Sequence, residues 1–214
     1  MRECFPPTLG YSEALAVLME ACKVAEPGHA AFEARIRHLQ RLGVPAGSAG
    51  TRPGRGGYDL KELAALASAV RLMDAFMVPT RAARYVTERW SILAPWLWEG
   101  ARAAMPSDYL RRRPPRSGSF AVFSGNGLAD LGQKRPHEDL YAGPLGDVTI
   151  VGEGAALIEV LTASGGAAIV LDSAAYMAII VARLQERTLA TPQELATQLD
   201  LLRFADGIGH GRHV

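Results

Sequence analysis

Cysteine is scarce in this chain: only Cys4 and Cys22 occur among 214 residues. Two are too few for a disulfide framework, and their spacing is not that of a metal finger. Reduced thiols are the expectation. Long hydrophobic runs are missing as well. The most apolar stretch, residues 167–182, is interrupted by Asp172 and Ser173 and cannot span a bilayer unaided. The opening MRECFPPTLG has no apolar h-region, so no secretory signal peptide is expected. The five histidines, His29, His38, His137, His210 and His213, stand at no ligand spacing from carboxylates or cysteines. No Ser-His-Asp or Cys-His order stands out. The expectation is a soluble chain with no membrane segment, no metal, no cofactor and no enzymatic activity.

An excess of one charge is lacking overall, since the net charge is +1. The distribution is uneven. Residues 1–32 carry net −2, residues 33–116 net +8 and residues 117–214 net −5. A basic block in a neutral chain points to a polyanion partner for that block alone. Hydrophobic residues make up 49% of the chain, enough to pack a core through most of its length.

Residues 1–11, with Pro6, Pro7 and Gly10, read as a loose arm. Ser12 can cap a helix carrying Leu15, Leu18, Met19 and Cys22 at helical spacing. Glu26-Pro27-Gly28-His29 breaks it. A second helix is predicted over residues 30–42, with Phe32, Ile36, Leu39 and Leu42 as its apolar stripe. Arg35, Arg37, His38 and Arg41 cover much of its remaining surface. Gly43 suits its C-terminal end and Pro45 prevents continuation. Residues 47–57, GSAGTRPGRGG, hold five glycines and present Arg52 and Arg55 on a loop or hairpin tip. Tyr58 returns the chain to the core. Asp59 and Glu62 form a capping box for a helix to about Met77, and Val78-Pro79-Thr80 starts another containing Tyr85, Val86 and Trp90.

Residues 91–118 read as transitional. Pro95, Trp96 and Trp98 suggest a short packed segment, and the Arg/Pro run at 111–118 reads as a basic linker. Strands are predicted at 119–123, 147–151 and 167–171, and residues 156–162 suit either a strand or a short helix. Residues 124–146 are loop-like. Asp172 or Ser173 caps an apolar helix to Arg187, which is either a core helix or part of a dimer contact. A last helix starts at Thr191-Pro192 and runs to about Phe204, and the remaining tail is expected to be loose. The pairs Gly125/Gly127 and Gly152/Gly154 lack the third glycine of a dinucleotide cradle and read as turns.

The order of the basic block has a chemical logic. A helix-turn-helix lays one helix in the major groove, where Arg can bond guanine O6 and N7 together. A glycine-rich tip lets backbone approach the phosphates while arginine supplies charge. Residues 35–90 resemble the DNA-binding domain of MerR-type transcription regulators. The likeness rests on Ile36-Arg37-His38-Leu39 followed by Leu42-Gly43-Val44, then on Gly54-Arg55-Gly56-Gly57-Tyr58 followed by Asp59-Leu60-Lys61-Glu62-Leu63. Arg89-Trp90 brings it closer to MerR-like regulators of prophage-like elements and gene transfer agents. The resemblance implies base contacts from Arg35 and the first turn of its helix, backbone contacts from Arg37 and His38, and wing contacts from Arg52, Arg55 and Tyr58. His38 departs from an aromatic position of the family. The family's long dimerisation helix is not continued past Pro95, and no C-terminal cysteine pair is present for metal sensing.

The expected fold class is therefore α+β: a loose arm at 1–11, a MerR-like winged helix-turn-helix at 12–98, a basic linker at 99–118, a small α/β dimerisation or partner-binding domain at 119–204, and a loose tail at 205–214. The expected function is sequence-specific DNA binding that activates or represses transcription. The expected partners are double-stranded DNA, a second copy of the chain, and RNA polymerase or a DNA-bending protein. The location would be the cytoplasm, at the nucleoid. Two other readings fit the same residues: a module docking on RNA polymerase or another regulator, as an antiterminator or anti-activator would, and an excisionase-like architectural factor.

Overall fold

Local chemistry sets the first four α-helices. In the computed structural model, which describes residues 7–46, 57–113, 119–124, 145–152, 154–164 and 168–203, α1 spans Tyr11–Ala21. Its start lies before Ser12, because the Glu13 carboxylate accepts from the Gly10 amide at 3.1 Å and Ser12 stays exposed inside the first turn. A 3₁₀ turn at Glu26–Gly28 leads into α2, His29–Arg41. Gly43, at φ 85°, closes α2: its amide reaches the Gln40 carbonyl and the Val44 amide reaches that of Leu39. The expected capping box opens α3, Leu60–Asp74, with the Glu62 amide donating to Asp59 Oδ1 at 2.8 Å and the Asp59 amide to Glu62 Oε2 at 2.9 Å. Pro79 occupies the first turn of α4, Pro79–Glu88.

The end of α3 uses the same two-bond closure as α2, Phe76 amide to Met73 and Met77 amide to Leu72. The residue in the left-handed conformation is here Phe76, at φ 65° and 96% exposed. A bulky side chain is disfavoured there by roughly 1–2 kcal/mol.

Residues 91–113 include the expected packed segment at Trp96 and Trp98 but are more regular than a transitional stretch. They hold α5, Trp90–Arg102, with Pro95 inside it, and α6, Ser107–Arg112. Pro95 lacks the amide that would reach the Ser91 carbonyl, but Ser91 is exposed and water can serve that oxygen. Burial of Leu93, Ala94, Trp96, Leu97 and Trp98 outweighs the lost bond. The expected basic linker is likewise engaged with the body of the molecule. Arg113 forms a two-pronged ion pair with Asp200, its Nε 2.6 Å from Oδ1. The guanidiniums of Arg102 and Arg203 lie 5.4 and 4.7 Å from the Trp98 ring, and Trp98 Nε1 donates to the Tyr109 hydroxyl at 2.9 Å. Residues 114–118 lie outside the described residues.

Among the described residues three strands follow: β1, Phe120–Ser124, β2, Val148–Val151, and β3, Ala168–Asp172. They form one sheet in the order β2-β1-β3, with β1 antiparallel to both neighbours. The fold is thus α+β. Between β2 and β3 the chain forms α7, Ala155–Ala163, so the strand-or-helix ambiguity at 156–162 resolves to helix. Opposite partners in the register share a face. Ala121, Ile150 and Leu171 form one row, Phe123, Val148 and Ile169 the next, and all six belong to the core or pack on it.

The chain closes with α8, Ala174–Thr188, and α9, Pro192–Arg203. In α8, Tyr176, Met177, Ile180, Val181 and Leu184 are buried, which makes it a core helix. It packs against α1, α3 and α5, and α9 packs against α3 and α5. At the α5–α8 crossing a Cβ on Gly100 would lie 2.5 Å from Ser173 Oγ, so glycine is what permits the approach. Ser173 Oγ donates to the Trp96 carbonyl at 2.9 Å. Hydrophobic residues of the segments expected to form two domains therefore share one cluster, from Leu9 to Leu202.

Candidate nucleic-acid interface

α2 is amphipathic in a simple way. Phe32, Ile36 and Leu39 are buried, and the helix packs against α1, α3 and α4. Opposite this stripe lies an open concavity of about 400 Å³ lined by Ala30, Glu33, Ala34, Arg37 and Arg41. Those residues follow the three- and four-residue spacing of one helix face. Arg37 keeps 65% of its side chain exposed, and its Nη2 donates to Glu33 Oε1 at 2.6 Å. Arg41 is exposed, with Nη2 3.5 Å from His38 Nδ1.

The expected contact residues thus divide. Arg37 and Arg41 share the outward face. His38 lies at its side, half-buried. Arg35 is exposed but projects from the flank, three residues after Phe32 and four before Leu39, and does not line the concavity. Arg52 and Arg55 fall outside the described residues. Tyr58 returns the chain to the core, as the sequence pattern predicts. It is 6% exposed rather than a surface contact. Its hydroxyl accepts from Gln40 Nε2, and burial raises its pKa. The Tyr58 amide donates to the Leu9 carbonyl at 2.8 Å, and the Leu9 amide returns the bond at 2.9 Å. Tyr58 therefore anchors the far end of the 47–57 segment on the arm before α1 and on α2 itself. The arm is correspondingly tied down at Leu9, which is 1% exposed.

Sequence inspection passed over Glu33, Tyr11 and the two alanines. The Tyr11 hydroxyl donates to Glu33 Oε1 at 3.3 Å, and the Tyr11 and Tyr58 rings lie 6.3 Å apart. Tyr11 and Glu33 together hold the Arg37 guanidinium further above its ordinary pKa. The i, i+3, i+4, i+7, i+11 row beginning at Ala30 carries Glu33 and both alanines, whereas no local pattern points to Tyr11, which reaches Glu33 from α1.

Elsewhere, Cys22 is buried and its thiol is pushed up to about 12 by desolvation, so it is not a thiolate nucleophile at neutral pH. Among the described residues no group of three or more His, Cys, Asp or Glu could hold a metal ion. No described helix is long and apolar enough to cross a membrane. Comparison with protein-family models, with curated proteins and with solved structures finds no match for the chain.

Proposed function

We propose that the chain is a sequence-specific DNA-binding protein that regulates transcription, with α2 as the helix that enters the major groove. One observation carries this reading. The outward face of α2 joins two alanines to Arg37 and Arg41, directly before a Gly/Arg segment whose exit is pinned to α2 by the Gln40–Tyr58 bond. Small side chains let a helix approach base edges, and arginines supply the donors. The sequence order of helix, helix, Gly/Arg segment and capped helix supports the MerR-like reading of the same residues. Binding as a dimer to a symmetric site accords with it, as does recruitment of RNA polymerase.

A mobility-shift assay with genomic fragments at two salt concentrations tests the proposal. Retention at low salt that weakens steeply at high salt is expected, because phosphate contacts release counterions. No retention at low salt overturns it. Retention insensitive to Arg37→Ala and Arg41→Ala overturns the role of α2. If the chain captures RNA polymerase and no DNA, the docking-module reading replaces this one.

A further inference from the structure

A carboxylate sits where a phosphate-binding surface would have no use for one. Glu33 lines the α2 concavity with Arg37 and Arg41, and the alanines beside it contribute no polar side-chain atom. Such a charge repels DNA phosphates and would weaken a purely electrostatic contact. Its geometry is also more constrained than that of a solvated helix pair. One carboxylate oxygen, Oε1, takes the Arg37 Nη2 donor at 2.6 Å and the Tyr11 hydroxyl at 3.3 Å. Tyr11 belongs to α1 and is half-buried beside Tyr58, so α1 holds Glu33 from behind while Arg37 meets it from its own helix.

We infer that Glu33 is a specificity-determining residue, its carboxylate and the Arg37 guanidinium together reading a single G·C base pair. The inference rests on the DNA-binding reading of α2. The major-groove edge of G·C presents the N7 and O6 acceptors of guanine beside the N4 donor of cytosine. O6 and N4 are hydrogen-bonded to each other within the pair. A guanidinium hydrogen-bonded to a carboxylate is the complement: the guanidinium donates to O6 and N7, and the carboxylate accepts from N4. The protein pair and the base pair then close a ring of hydrogen bonds. An A·T pair in either orientation sets its O4 or N7 acceptor against the carboxylate or withholds an acceptor from the arginine. Tyr11 is a positioning residue, since it fixes the carboxylate without reaching the base.

The test uses the full chain. A duplex is selected from a random pool, each of its base pairs is replaced in turn, and affinities are read by fluorescence anisotropy for the wild type, Glu33→Gln and Tyr11→Phe. The wild type is expected to lose about tenfold or more when one particular G·C becomes A·T. Glu33→Gln keeps the side-chain size and is expected to lose part of that discrimination at that position alone, because an amide can also donate to the thymine O4 that a carboxylate repels. Its affinity for unrelated duplex should rise as the repelling charge disappears. Tyr11→Phe should fall between the two, with thermal melting of both variants close to wild type. Identical substitution profiles for the wild type and Glu33→Gln overturn the inference and leave the DNA-binding reading standing. A selection that enriches no sequence overturns both.

Discussion

α2 and α5 are both thirteen-residue helices, yet they dispose of their surfaces in opposite ways. α2 buries Phe32, Ile36 and Leu39 and leaves the rest of its circumference to water and charge. α5 buries seven residues, including Trp96 and Trp98, and packs against α8, α9 and the sheet. Even its charged residues turn inward: Glu99 and Arg102 expose only 9% and 17% of their side chains. The fold is assembled around α5, whereas α2 keeps one whole face open. The family resembled by residues 35–90 would place a dimerisation helix after Trp90. In this chain the helix at that place is spent on the chain's own core.

The largest expected effect tests that division directly. Trp96 is fully buried, and its Nε1 donates to the Ser119 carbonyl at 2.9 Å. Trp96→Ala should destabilise the chain by about 3–5 kcal/mol in chemical denaturation. Arg41→Ala on α2 should stay within about 0.5 kcal/mol of wild type. Equal stability losses for the two would break the comparison. Next comes the α5–α8 crossing, where Gly100→Ala places a methyl against Ser173 backbone and hydroxyl. Overpacking of this kind costs roughly 1–3 kcal/mol, read as a lowered melting midpoint.

On α2 the readout is binding. Arg37→Ala should reduce DNA affinity and relax preference at one base pair, whereas Arg41→Ala should weaken binding evenly across sequences and lower the slope of log affinity against log salt by about one. The two left-handed helix ends give a paired stability test. Phe76→Gly should raise stability by about 1 kcal/mol, whereas Gly43→Ala, at φ 85°, should lower it by a similar amount. A destabilised Phe76→Gly would mean that the exposed ring makes a contact that offsets its strain.

The smallest effect is electrostatic. Arg183, by hydrogen bond and charge, holds the Glu20 carboxyl below its ordinary value. A depressed carboxyl contributes stability above the unfolded-state pKa, and loses it as pH falls through the folded-state value. Arg183→Gln should therefore flatten a little of the acid limb of a stability–pH curve and leave neutral DNA binding unchanged. Because both partners are exposed, the change should be slight.

Much of the first half was legible because its signals are local. The Asp59–Glu62 box, Pro79 in a first turn and Gly43 after α2 each act through hydrogen bonds or φ preferences within a few residues. The apolar stripe of α2 was legible for the same reason, and with it Arg37 and Arg41 on the outward face. Pro95 misled because a proline's local cost is fixed while the gain from burying two tryptophans is not visible locally. Tyr58 was legible as the point where the chain returns to the core, but its partners Leu9 and Gln40, both distant in sequence, were not.

The sequence by itself determined where most helices and strands begin and end, which face of α2 is apolar, and that its other face is cationic. Those properties follow from backbone preferences and side-chain periodicity, which are short-range. Only the tertiary structure decided which apolar segments are buried. α7, AALIEVLTA, buries none of its residues, while α8 buries five. Burial depends on what lies opposite, and the partners of α8 on α1, α3 and α5 come from three distant parts of the chain. The same long-range packing joins the two expected units in one core and sets Tyr11 behind Glu33 on the face proposed to meet DNA.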